Sequence, residues 1–310
     1  MAEKGRHVRI DRQALRRFAR SLIHDEVSVP PWDDVYHFYD GGPETVSYLL
    51  VLDSLNFCFW PASGEKRWEI EYQSRRLSGY YALAASLKRA VEKGFPITKA
   101  DYLAEISLSD LKGILGGSGD LPLLNRRHEI LKELGTVLLR DYAGEARYLV
   151  EAAKGSAIRL VRLLADRLLS FRDGATYHGL NVFFYKRAQI FAADLHAAFQ
   201  GKGWGLFRDM DELTAFADYK VPQVLRHLGI LLYGSDLAQK IDQRILIGAG
   251  SPEEVEIRAN NIWAIELIKR ELSGMGKELR SFEIDWILWN RGQNPEFKEK
   301  PFHRTVTIFY

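Results

Sequence analysis

Apolar positions in this chain recur mostly at helical spacing, and several of the segments they define carry their own start and stop signals. Leu15, Phe18, Ala19 and Leu22 fall on one face of a helix that Asp11 caps and that runs to Ile23. A second helix opens at Ser78, places Leu83, Leu87, Ala90 and Val91 inward, and closes at Gly94 before Phe95-Pro96. The same periodicity predicts helices near residues 99–106, 109–115, 123–142, 145–153, 156–169, 186–200, 222–228, 237–245 and 252–272. Ser251-Pro252-Glu253-Glu254 is the clearest start, with a hydroxyl cap, a first-turn proline and a Glu three residues after the cap.

Strand signals are fewer. Residues 46–52, 57–60 and 67–72 are short, β-branched or aromatic, and separated by Asp-Ser and Ser-Gly turn signals, which predicts a small antiparallel sheet. Residues 304–310 alternate apolar and polar and predict a closing strand. The glycine-rich stretch 113–119 reads as a connector, because it lacks the strand, Lys and Ser/Thr of a phosphate-binding P-loop. No repeat and no Gly/Ser/Pro-rich linker divides the chain. The expectation is a mainly α, single helical domain over residues 1–310 with a minor β element, residues 1–45 forming a helical extension packed on it.

Composition narrows the function classes. With 310 residues, 46% of them hydrophobic, the chain can bury a sizeable core. Lys and Arg number 43 against 41 Asp and Glu, so a net charge of +2 provides no whole-molecule field for a polyanion and argues against a stable nucleic-acid partner. The single cysteine, Cys58, forms no intrachain bridge, and no Cys/His spacing matches a zinc site. The stretch from Met1 to Arg9 has basic residues without an apolar core behind them, unlike a secretory signal. Charges such as Arg140, Arg162 and Lys269 interrupt every apolar run before the roughly 20 residues a membrane span needs. These features predict a reducing, cytoplasmic setting without a membrane partner.

Four segments carry candidate chemistry. In 53–60, Asp53 and Asn56 adjoin Phe57, Cys58, Phe59 and Trp60, a set that suits stacking on a flat heterocycle with hydrogen bonds to its edge, although a buried strand with a capping acid is the favoured reading of these residues. In 183–194, Lys186 and Arg187 stand at a helix start whose dipole is already positive. An anion such as a phosphate monoester, held by the helix terminus and one of those cations, resolves the conflict; a pair of solvated charges is the plainer reading. In Phe216-Ala217-Asp218-Tyr219-Lys220-Val221-Pro222-Gln223, Asp218 either caps the next helix or accepts from the ring N–H and amino group of a guanine-like edge, with Phe216 or Tyr219 stacked on the ring. In 282–290, Asp285 shares a helical face with Phe282, Leu288 and Trp289, so its carboxylate points to a core or a pocket. The histidines His128, His178, His196, His227 and His303 show no ligand spacing, and no Gly-x-Ser-x-Gly elbow is present.

Taken together with Pro301-Phe302-His303-Arg304, these segments in this order and spacing resemble the queuosine salvage protein family, whose members are queuosine 5′-phosphate N-glycosylase/hydrolases. The similarity runs from about Val46 to Tyr310. It implies a helical fold related to helix-hairpin-helix DNA glycosylases that acts on a free nucleotide, without metal or redox cofactor. It further implies queuine recognition by Phe216 and Asp218, with Tyr219, Asn56 and Trp289 as further substrate contacts. By the same resemblance Asp285 is expected at the scissile bond with Asp218 assisting it, and Lys186 at the 5′-phosphate. Two other readings remain open at this point: a DNA-repair base glycosylase, and a non-catalytic queuosine- or tRNA-binding protein.

Overall fold

The computed structural model describes residues 5–25 and 27–310; Lys4 of the basic amino-terminal stretch lies outside the described residues. The chain is mainly α-helical, with thirteen α-helices and three two-stranded antiparallel sheets among those residues. No helix of the described residues is long and apolar enough to cross a membrane.

The first helix, Arg12–His24, forms as its periodicity predicts. Asp11 accepts from the Gln13 and Ala14 N–H groups, and Ala14, Leu15, Phe18, Ala19 and Leu22 are buried. They join a core cluster that includes Ile257 and Ile265 of the long helix Pro252–Ser273, which Ser251 caps through the Glu254 N–H.

Residues 46–52, read as a strand, lie instead within the helix Pro43–Ser54. Every side chain from Thr45 to Ser54 is buried, so no polar stripe marks the helical period, and a wholly buried helix cannot be told from a buried strand by alternation. Residues 57–60 are not a strand either. Cys58 adopts φ 44°, and the buried Arg127 guanidinium binds the carbonyls of Leu55, Phe57 and Cys58 in place of a ladder. The predicted closing strand 304–310 is an irregular tail joined to the rest by Ile247 N–H to Arg304 O and by Cys58 N–H to Tyr310 O, each close to 2.9 Å. Burial runs against the alternation there, with Thr305 and Thr307 buried and Val306 exposed.

The 67–72 prediction holds in part: Glu69–Tyr72 pairs with Arg75–Ser78, so Ser78 ends a strand and the next helix, Tyr80–Glu92, starts after Gly79 at φ +65°. Of the predicted connector, residues 113–115 prove to end the helix Leu108–Leu115, and 116–119 dock on this hairpin, Ser118 exchanging two 2.9 Å backbone bonds with Glu69. Gly117 and Gly119, both at positive φ, lie so close to the Glu69 and Arg67 carbonyls that any β-carbon would collide. Two antiparallel pairs escaped the sequence reading: the long-range pair of Val8–Ile10 with Leu231–Tyr233, and the hairpin of Gly174–Tyr177 with Leu180–Phe183.

Two large core clusters fill the molecule, one around Tyr48, Phe57 and Phe191, the other around Leu15, Leu225 and Ile265. The helix Ser281–Arg291 serves both, giving Phe282 to the first and Ile284, Ile287 and Leu288 to the second. Its face between them borders a cavity.

Candidate active site

A cavity of about 460 Å³ opens between the clusters, and Asn56, Lys186, Phe216, Asp218, Tyr219, Asp285 and Trp289 all line it. Four stretches separated by up to 233 positions in the chain therefore meet at one place.

Asp285 is buried on the helix Ser281–Arg291, where its Oδ2 accepts from the Phe216 N–H at 3.0 Å. Burial and then the neighbouring Asp218 charge push its carboxyl well above the usual range, while the Phe216 N–H and Lys186 act in the opposite sense. Asp218 caps the next helix and also lines the cavity. Its Oδ1 accepts from Lys220 N–H (2.9 Å) and Val221 N–H (3.0 Å) at the start of the helix Lys220–His227, which leaves Oδ2 without a protein donor among the described residues, on the cavity wall. The loop is pinned by Arg258 Nε donating to Ala217 O at 2.9 Å and by Gln189 bonding the Thr214 N–H at 2.8 Å.

Lys186 and Arg187 are buried, not solvated, and they part company. Arg187 turns into the protein and binds the carbonyls of Ser54 and Ser170, so it is no candidate for a ligand anion. The helix terminus is also taken: Lys186 N–H donates to Asp173 Oδ2 at 3.1 Å, and Asp173 is paired with Arg258 at 2.6 Å. A carboxylate of the chain thus fills the anion position that the helix dipole favours. The Lys186 ammonium alone reaches the cavity, where it donates to Asn56 O at 3.1 Å. Burial lowers it to about 8, against the upward pull of Asp218, Asp53 and Asp285.

Aromatic rings supply flat walls. Phe216 lies 6.5 Å from Trp286, Tyr219 lies 4.7 Å from Phe302, and Trp289 meets Tyr80 and Tyr81 edge-on at 5.9 and 5.6 Å. Such rings, with acids and a cation lining the same cavity, can hold a planar heterocycle and steady positive charge next to it.

The sequence reading missed several wall residues. Asp194 sits with Lys186 and Ile190 on one face of the helix Lys186–Ala198, a spacing that was open to inspection. Arg67, Lys220 and Arg304 add cations to the wall. Trp32 and His37 come from the first 45 residues, an extension that proves to form part of the cavity and that no local signal set apart.

The family model described as queuosine salvage protein matches residues 36–310. The chain belongs to the queuosine salvage protein family. Among its curated members, a protein of Sphaerobacter thermophilus named queuosine 5′-phosphate N-glycosylase/hydrolase is 49% identical over 310 residues, covering 100% of this chain and 95% of that protein. Proteins of the same name from Bos taurus and Dictyostelium discoideum are 35% and 37% identical, with coverage of at least 99% of this chain and 95% of theirs. The family match therefore spans all four segments and most of the cavity wall, Trp32 lying just ahead of it.

Proposed function

We propose that this chain hydrolyses the N-glycosidic bond of queuosine 5′-phosphate and so releases queuine for salvage into tRNA modification. The observation that carries the reading is the convergence of Asn56, Lys186, Phe216, Asp218, Tyr219, Asp285 and Trp289 on one cavity of about 460 Å³, a size suited to a single small ligand. Support comes from relatives of that printed name along the full chain. A near-neutral charge balance favours a free nucleotide over a duplex.

In this reading the base lies against Phe216, with Tyr219 and Trp289 enclosing it, and Asp218 uses the oxygen not spent on its helix cap to take the N–H edge. The C1′–N bond breaks through an oxocarbenium-like transition state. Its electron pair leaves with the base, and water supplies the oxygen to C1′ and a proton to queuine. Asp285 stabilises the cationic sugar or draws the proton from that water, one oxygen being held by Phe216. Because carbon replaces N7 in a 7-deazaguanine, protonation at N7 is closed to this substrate, and hydrogen bonds to the pyrimidine part carry more of the leaving-group charge. Lys186 is the proposed partner of the 5′-phosphate, with Arg67, Lys220 and Arg304 on the same wall. Residues 1–310 act as one domain in this scheme, since both core clusters contribute to the cavity.

Chromatography of queuosine 5′-phosphate after incubation with the protein tests it. Free queuine and ribose 5-phosphate are expected; intact nucleotide with bound protein would favour a binding protein instead.

A further inference from the structure

Arg258 does not line the cavity, yet segments that build its wall meet on this one guanidinium. It stands on the helix Pro252–Ser273 and is 2% exposed. Its Nη1 and Nη2 donate to Asp173 Oδ1 and Oδ2 at 2.9 and 2.6 Å, and its Nε donates to Ala217 O at 2.9 Å. The ring centroids of Phe184 and Tyr310 lie 3.9 and 4.3 Å from its Cζ.

These partners belong to different parts of the site. Asp173 Oδ2 also accepts from the Lys186 N–H at 3.1 Å, and the Asp173 carbonyl accepts from the Phe184 and Tyr185 N–H groups at 3.0 and 3.3 Å. Asp173 thereby holds the turn in which Tyr185, at φ +49°, starts the helix carrying Lys186. Ala217 stands between Phe216 and Asp218. Tyr310 lines the cavity, and its carbonyl accepts from the Cys58 N–H, two residues past Asn56. Asn261, on the same helix as Arg258, reaches Phe216 O at 3.4 Å.

The chemistry of the side chain fits this linking position. A planar guanidinium can grip a carboxylate with two donors and a carbonyl with a third, whereas an ammonium is a point charge without that fork. Burial opposes its charge, and Asp173 more than offsets this by raising its pKa. A buried ion pair adds little stability over apolar side chains of the same volume, so stability alone is a weak reason to keep one here. What Arg258 supplies is a fixed geometry between distant pieces of chain.

We infer that Arg258 is a positioning residue that holds the Lys186 side of the cavity in register with the Phe216–Asp218 side. The inference rests on the hydrolase reading above and adds the group that sets the spacing between its phosphate and base sides. Without Arg258 each side keeps other anchors: Phe216 N–H on Asp285 Oδ2, Gln189 on the Thr214 N–H, and Lys186 Nζ on Asn56 O. Each side therefore survives while the distance between them loosens, and a misplacement of about 1 Å costs on the order of 10²-fold in rate.

Arg258→Lys tests it by keeping the charge and removing the fork. Well below the unfolding transition, kcat/KM for queuosine 5′-phosphate should fall roughly 10–100-fold. Affinity for free queuine, which occupies the base side alone, should stay within about 3-fold of the wild type. Turnover within about 3-fold of the wild type overturns the inference. So does a queuine affinity that falls as far as kcat/KM, which is the mark of a merely structural role. Should Arg258→Lys fail to fold, Arg258→Met combined with Asp173→Asn removes the pair together and keeps an oxygen for the Lys186 N–H, with the same two readings deciding. A wild type that releases no queuine sinks the hydrolase reading by itself; affinity for the nucleotide then replaces kcat/KM, and its split from queuine affinity still decides the role of Arg258.

Discussion

The Phe216 N–H donates to Asp285 Oδ2 at 3.0 Å. The loop that carries the proposed stacking ring is thereby tied to the helix that carries the proposed acid, and Trp286 on that helix lies 6.5 Å from the Phe216 ring. This bond couples the positions of the Phe216 loop and the Asp285 carboxylate, the kind of positioning that the proposed reaction through a cationic sugar requires.

Asp285→Asn keeps an oxygen for the Phe216 N–H and removes the charge. Turnover of queuosine 5′-phosphate should fall on the order of 10²–10³-fold with queuine affinity nearly intact. Near-normal single-turnover rates would remove Asp285 from the chemistry.

Lys186→Ala should weaken binding of the nucleotide far more than binding of free queuine, as measured by calorimetry. Lys220→Ala provides the comparison, because Lys220 lines the same wall and donates to Gln223 Oε1 at 3.2 Å. A larger nucleotide-specific loss in Lys220→Ala would move the phosphate away from Lys186.

The pH profile of kcat/KM should be bell-shaped. Burial and Asp218 raise the Asp285 carboxyl, so the ionised form is lost as pH falls through a point above the usual carboxylate range of about 4. Burial lowers Lys186 to about 8, so its charge is lost as pH rises through that point. Lys186→Arg should carry the alkaline limb upward; a limb that stays in place assigns it to another group.

Arg127→Met should cost about 3 kcal/mol or more, read from the urea midpoint, because the carbonyls of Leu55, Phe57 and Cys58 lose their buried donor. A variant as stable as the wild type would show that these carbonyls find other partners.

Helices were legible wherever one face stayed wet. The Arg12–His24 and Pro252–Ser273 helices carry caps that act within three or four residues, and their sequence marks match their geometry. The helix Pro43–Ser54 was not legible, since burial on every side erased its period. The site residues were legible as unusual mixtures of acid, cation and ring, and all seven expected ones face the cavity. Asp194, Trp32 and the split between Lys186 and Arg187 were not, because a single residue type cannot announce which way it points.

The sequence by itself determined the helical character, most of the element starts and the segments that line the cavity, since caps, periodicity and composition are local properties. Only the tertiary structure decided that Asp173 fills the helix terminus ahead of Lys186, that Asp218 divides its oxygens between a cap and the cavity, and that Asp285 meets Phe216 across 69 positions of chain. Those outcomes depend on which distant donors each carboxylate finds once water is excluded, and that competition is settled by the packing of the whole chain.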